Sequence, residues 1–405
     1  MKTRIAGLDV ARAIAILGMV YNHLGPYSGP AHTVSSGYPS ALFAVLAGFS
    51  LCLMTARGNA AGGEELLRGR YRLLVRGVII AAIGIVLTMV QSFIVVVLSA
   101  IAAILLLLGP VTRWRTRDIL WLLVGVAILG TAVQKAASQL GVYSEFLTGS
   151  YPVFTWLAFG LVGILGYRFL LEDERVQALT AVVGLGVGAA ALSSRDPMVV
   201  HEQTGTNGTV DGEVSETFLT AWLSVEPHSG ALGDLVVSAL ASAGVVSLCL
   251  LLCRADIVVK LLYPLRALGS MALTAYVAHC LTATLLLSGF FGLIGGVEKE
   301  PVPAQIYDIG MSEDTLGGLP WAQYQELVAT SPGWQELWDA EAEAMGEADD
   351  DTVQESEVDY GPFALWITVI GLLVFASLWK LWFARGPLEA GVRSIERRLI
   401  RPTQV

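Results

Sequence analysis

Asp9, Arg12 and His23 interrupt an otherwise apolar N-terminal stretch. An imidazole titrates near neutrality and can take or give a proton, while a guanidinium grips anions. Arg12 and His23 are 11 residues apart. At 100° per residue this is about 20° beyond three full turns, so both share one helix face, ~16 Å apart along the axis. Asp9 falls about 40° from His23 on the same stripe. One end of this helix therefore offers a carboxylate and a guanidinium, the other an imidazole. Polar groups in apolar helices are costly and tend to face functional cavities. A plainer reading stands beside this one: Asp9 and Arg12 as an i,i+3 pair anchoring a helix end, and His23 as a cap before the Gly25-Pro26 turn.

Other residues of these types are scattered along the chain. His228 and Ser229 precede an apolar run, where they line its mouth or simply belong to a loop. His279 lies within an uncharged stretch, with Thr274 and Tyr276 nearby; a cavity or an interhelical hydrogen bond explains it equally well. Asp234 reads as a helix-start residue. Arg57, Arg68, Arg70, Arg72 and Arg76 make a dense basic loop.

The elements that must position these residues are membrane helices. Of the 405 residues, 54% are hydrophobic and 15% charged, and the mean hydropathy is +0.63. No ordinary soluble domain has such values. Asp, Glu, Lys and Arg are absent from 13–56, 77–112, 119–134, 146–167, 176–194, 235–253, 267–297 and 361–379. A span needs roughly 17–25 mostly apolar residues. The first run is broken by Gly25-Pro26 and Gly29-Pro30 and the second by Gln91-Ser92, so each predicts two spans. The expected fold is all-α: a polytopic membrane helix bundle of about ten transmembrane helices, one domain over 1–405. With both termini cytoplasmic, 22 of the 25 basic residues fall inside, leaving Lys135, Arg195 and Lys299 outside. That is the positive-inside pattern, and it explains the basic loop by itself.

The net charge of −10 is not a sign of nucleic-acid binding. It comes largely from an acidic extracytoplasmic loop, 298–360, inserted before the last helix; residues 298–359 hold 17 acidic residues and one Lys. Such charge keeps an exposed loop soluble; a substrate or cation role is the alternative. Asp9 and Arg12 argue against a cleavable leader, and Asn207-Gly208-Thr209 fits a glycosylation sequon. Cys52, Cys249, Cys253 and Cys280 all fall within predicted spans, so no disulfide is expected, and no metal site. Gly160, Gly163 and Gly166, and Gly184, Gly186 and Gly188, predict close helix packing.

The segment Arg4-Ile-Ala-Gly-Leu-Asp-Val-Ala-Arg12, followed by Gly18-Met-Val-Tyr-Asn-His23, resembles the opening of membrane acetyltransferases related to heparan-α-glucosaminide N-acetyltransferase, including the bacterial YeiB-like group. Ser40 to Ser50, Ser150-Tyr-Pro152, Pro227-His-Ser-Gly230, Gly269 to His279 and Gly386-Pro-Leu-Glu389 resemble later family segments. The Arg12–His23 spacing is also similar to that of the acyltransferases that modify bacterial surface polysaccharides. The resemblance implies an acyl-CoA-dependent O- or N-acetyltransferase with acetyl-CoA as co-substrate. The acyl group would move from the cytoplasm to a hydroxyl or amine of an extracytoplasmic sugar or glycolipid. It also implies an integral protein of the bacterial plasma membrane, in contact with lipids and with envelope-biogenesis partners or a second copy. Some actinobacterial relatives look like the enzyme that acetylates trehalose-linked mycolates.

On this reading His23 or His32 is the base and Arg12, Arg57, Arg68, Arg70, Arg72 and Arg76 meet CoA, with Asp9, His228, Ser229, Thr274 and His279 in support. In the lysosomal enzyme the proposed histidine follows the first span and precedes a Trp. Here His32 has that place without the Trp, and His23 is favoured by its register with Arg12. The competing reading is a transporter or flippase without covalent chemistry.

Overall fold

The computed structural model describes residues 5–400 apart from 27–28, 91–93, 143, 145, 196–221 and 287–360. Gln91-Ser92, the Asn207 sequon and the acidic segment 298–360 lie outside the described residues. Within them the fold is entirely helical. The chain runs α1 (Ala6–Leu24), α2 (Pro30–Ser35), α3 (Tyr38–Ala61), α4 (Gly63–Val90), α5 (Leu98–Leu108), α6 (Thr116–Gln139), α7 (Val153–Phe169) and α8 (Glu174–Leu192). It continues with α9 (Leu232–Leu252), α10 (Asp256–Leu261), α11 (Tyr263–Gly269), α12 (Ala272–Leu285), α13 (Gly361–Trp382) and α14 (Pro387–Leu399).

Every uncharged run carries a helix, but not every helix is long and apolar enough to cross a membrane. Six qualify by length and composition: α3 (with α2 before it), α4, α6, α8, α9 and α13. Counting α11 and α12 as one span bent by 87° makes seven. These six or seven are counted among the described residues, beside the ten expected of the whole chain. Helix α5 has 11 residues, ~16 Å of rise, which is about half the hydrocarbon thickness. Helix α7 has 17, and α1 carries Asp9, Arg12, Asn22 and His23 in its 19 residues. Within the run 267–297 the backbone breaks between Gly269 and Ala272, so a span there is bent. The basic loop is a correction. Only Gly62 separates α3 from α4, and Gly62 and Gly63 turn the chain with φ of +68° and +47°, a region that glycine enters without a Cβ clash. Arg68, Arg70, Arg72 and Arg76 therefore lie on a helix.

The share of buried residues separates centre from periphery. The α2–α3 segment and α9 are 67% and 61% buried, against 22% for α4 and 28% for α6, α8 and α13. The outer helices expose Ile85, Val86, Met89, Trp121, Val182 and Ile370, apolar surface that is at home only in lipid. The chain is an integral membrane protein.

Because lipid is as apolar as leucine, helices are held by close packing and polar contacts rather than by exclusion of water. A Cβ on Gly163 would fall 2.0 Å from the Val45 carbonyl of α3, and one on Gly184 2.2 Å from the Leu240 carbonyl of α9. Gly48 of α3 meets the Gly160 carbonyl in the same way, at 2.0 Å. Gly186 differs from its neighbours, with nothing within 4 Å. All four cysteines are free.

Gly163→Ala therefore forces α3 and α7 apart, at a cost of about 1–3 kcal/mol or more. We expect a lower unfolding temperature in detergent, read by fluorescence-detected size exclusion after heating. Gly186→Ala should unfold at the wild-type temperature; equal melting of the two variants would contradict the packing described here.

Candidate active site

The first helix positions both ends of the site. Asp9 is buried, and its Oδ1 accepts from Arg12 Nη1 at 2.8 Å. Arg12 Nη2 donates to Ser50 Oγ of α3, also at 2.8 Å, and the Ser50 hydroxyl donates to the Leu46 carbonyl at 2.6 Å. The i,i+3 pair of the plainer sequence reading exists, and Ser50 adds a cross-helix partner. The guanidinium side chain keeps 19% exposure, so an edge of it is reachable.

Three turns further along α1, the His23 ring meets the ring of His279 from α12. His23 Nδ1 and His279 Nε2 are 3.3 Å apart. The rings are parallel within 6°, with centroids at 5.5 Å. His279 is fully buried. Tyr276 packs edge-on against it at 5.0 Å, and the Tyr276 hydroxyl accepts from Val97 N–H at 3.0 Å. Two nitrogens at this distance share one proton, so each imidazole dictates the tautomer of the other.

Thr274 lies five residues before His279, about 140° around the helix, and is occupied elsewhere. Its hydroxyl donates to Glu389 Oε2 at 2.6 Å and accepts from Leu388 N at 3.1 Å. Glu389 Oε1 also accepts from Leu273 N and Thr274 N, at 2.8 and 3.2 Å. Helix α14 thereby caps the start of α12, whose first N–H groups have no partner within the helix.

A second polar cluster sits near the histidine pair. Ser36 Oγ donates to Asn22 Oδ1 at 3.3 Å, beside His23. The carbonyl of Ser36 accepts from Arg195 Nη1 at 3.0 Å. The Arg195 side chain is fully buried, 3.9 Å from Asp234 Oδ1, and stacks over the Tyr38 ring at 4.1 Å. Asp234 Oδ1 also accepts from Ser238 Oγ at 2.8 Å. His228 adopts φ +61°, rare for a residue with a side chain. Its Nδ1 is 3.0 Å from the Ser150 carbonyl, and Tyr151 packs against it edge-on at 5.6 Å.

The sequence-derived candidates thus separate into groups. Arg12 and Asp9 lie at one end of α1; His23, His279 and His228 gather towards the other. Ser229 is beside His228, and its carbonyl accepts from Gln134 Nε2 at 3.4 Å. His32 is buried in α2. Arg68 pairs with Glu64 and Glu65 of its own helix. Arg76 grips Glu396 of α14 through two bonds of 2.7 and 3.2 Å. Arg57 and Arg72 are exposed and Arg70 is half-buried. Arg195, Ser50 and the pairing role of Asp234 escaped the sequence reading. For Arg195 a signal existed, since it is one of the three basic residues on the wrong side of the charge pattern.

Burial, with the charge of Arg195, holds the His228 imidazole down at about 4, although the Ser150 carbonyl works in the other direction. The folded state therefore resists protonation of His228, while the unfolded chain takes the proton near 6.5. Stability from this residue is complete above pH 6.5 and declines as pH falls from there towards 4. Melting temperature followed across that range should fall more steeply in wild type than in His228→Gln; parallel curves would refute the assignment.

Residues 4–193 match the family model described as heparan-alpha-glucosaminide N-acetyltransferase, catalytic. Residues 215–301, which contain His228, Asp234 and His279, match a family described as a protein of unknown function, DUF418. No curated protein matches the chain, and no solved structure does. The first match covers α1 to α8 with Asp9, Arg12, Ser50 and His23, and it points to a transmembrane acetyltransferase. Residues 4–193, just under half of the chain, are thus similar to the catalytic region of heparan-α-glucosaminide N-acetyltransferase.

Proposed function

We propose that this protein carries acetyl from cytoplasmic acetyl-CoA to a hydroxyl or amine of a sugar or glycolipid outside a bacterial plasma membrane, with both termini in the cytoplasm. The acetyltransferase match over residues 4–193 carries the reading. The register of Arg12 and His23 on one helix gives it a geometry. A pantetheine arm is comparable in length to the ~16 Å between them. Arg12, Arg57, Arg70 and Arg72 meet the CoA phosphates by charge-assisted hydrogen bonds. Arg68 and Arg76, held by carboxylates, add to the positive field.

The histidine pair supplies the base. His23 Nδ1 and His279 Nε2 stand 3.3 Å apart, and in the tautomer that serves the reaction Nε2 accepts the Nδ1 proton of His23. This tautomer leaves the lone pair on His23 Nε2. His23 removes the acceptor's proton as its oxygen or nitrogen attacks the thioester carbonyl. The C–S bond breaks, and the departing thiolate takes the proton from His23. His279 is the positioning residue. Envelope partners or a second copy of the chain belong to the same proposal.

The 87° break between α11 and α12 favours a second reading, since broken helices line the sites of transporters and flippases. One preparation separates the two. In nanodiscs with acetyl-CoA and a panel of sugars and glycolipids, acceptor-dependent CoA release should fall about 10²-fold or more in His23→Ala. His32→Ala should stay near wild type, and Arg12→Gln should raise the KM for acetyl-CoA. Undiminished release by His23→Ala would overturn the mechanism; absence of acetyl-CoA binding would overturn the reaction and turn attention to transport.

A further inference from the structure

Helix α3 gathers arginines from three elements along one stripe. Arg12 of α1 donates to Ser50 Oγ, and Arg76 of α4 sets Nη1 2.8 Å from Met54 Sδ. Met54 is one turn beyond Ser50 on α3, at ~6 Å of rise. Arg57, exposed on the same helix, stands at ~10 Å of rise and about 20° off the Ser50 line. Cations spaced in this way suit the several phosphates of an extended CoA. The middle one is already gripped. Glu396 of α14 accepts from Arg76 Nε and Nη2 at 2.7 and 3.2 Å.

This grip is a fork of two charge-assisted bonds, the geometry in which a guanidinium also binds phosphate. It is open to competition, since the Arg76 side chain keeps 31% exposure and that of Glu396 keeps 11%. A phosphate monoester carries nearly twice the charge of a carboxylate, with three acceptor oxygens in place of two. Little chain has to move for Glu396 to leave. It lies in the last turn of α14, which ends at Leu399. Two turns earlier, Glu389 is tied to α12 through Leu273 N, Thr274 N and the Thr274 hydroxyl. Gly391 stands between these two anchors, and a Cβ there would meet nothing within 4 Å. Packing does not require a glycine at that position, and glycine weakens a helix interior more than any residue but proline. The helix is softest where its outer half would have to swing.

We infer that Glu396 is a displaceable latch: its carboxylate sits in a phosphate seat on Arg76, and a CoA phosphate takes that seat as the last two turns of α14 swing about Gly391. Glu389 stays on α12 meanwhile, so the span that carries His279 keeps its cap. The inference rests on the acetyl-CoA reading above and adds to it a residue that competes with the donor.

The test is calorimetric binding of acetyl-CoA to the full chain in nanodiscs, with hydrogen exchange and acetyl transfer followed on the same preparations. Glu396→Gln should tighten acetyl-CoA about tenfold. That gain should vanish in an Arg76→Gln background, whereas a mere loss of negative field would persist there. Gly391→Ala, which keeps the ion pair and stiffens the helix, should weaken binding about fivefold. In wild type, which needs no substitution to be read, acetyl-CoA should speed amide exchange across 392–399 while the Leu273 and Thr274 amides stay protected. Unchanged affinity in Glu396→Gln, an equal gain in the Arg76→Gln background, or slower exchange in α14 with acetyl-CoA bound would overturn the latch. Acetyl transfer by wild type beside any of these would leave the reaction standing. Glu396-dependent binding without acetyl transfer would keep the latch and remove the reaction, and no acetyl-CoA binding by wild type or Glu396→Gln would remove both.

Discussion

Helix α1 reaches the break in the α11–α12 span because Gly269 has no side chain. A Cβ there would fall 1.7 Å from the Asp9 carbonyl and 3.0 Å from Ala13 N. No rotamer change relieves a clash with backbone, so any larger residue must push α1 away. From that contact α1 runs alongside the broken span, and His23 arrives against His279. The site therefore depends first on a backbone-to-backbone contact, and only then on the residues that make it reactive.

The surrounding lipid imposes a second constraint, since a buried charge there must find a partner. Each pair ties together elements distant in sequence. Arg12 joins α1 to α3 through Ser50. Arg195 joins the end of α8 to Asp234 of α9 and the carbonyl of Ser36. Arg76 joins α4 to α14. Glu389 and Glu396 are seven residues apart, hence on nearly one face of α14. The first caps α12 and the second holds Arg76. The C-terminal helix thus braces the span that carries His279.

Much of this was legible in the sequence. Uncharged runs locate helices because hydrocarbon excludes charge over a whole span. The helical repeat alone puts Asp9, Arg12 and His23 on one stripe. Span counting was less secure, because a run of apolar residues does not say whether its helix is straight. The 11 residues of α5 and the break after Gly269 interrupt runs that contain no charged residue at all. Glycine-rich segments foretold close packing, yet Gly186 faces open space while Gly184, two residues earlier, touches α9.

The sequence by itself determined an integral, all-helical membrane protein, its candidate polar stripe and its resemblance to membrane acetyltransferases. These follow from local composition, from the 3.6-residue period and from motif order along the chain. Only the tertiary structure decided that His23 pairs with His279, 256 residues away, that Thr274 serves the cap of α12, and that Arg195 is buried beside Asp234. Such partners are chosen by helix crossings, and a crossing depends on which small residues meet across two surfaces. No spacing within a single helix records that.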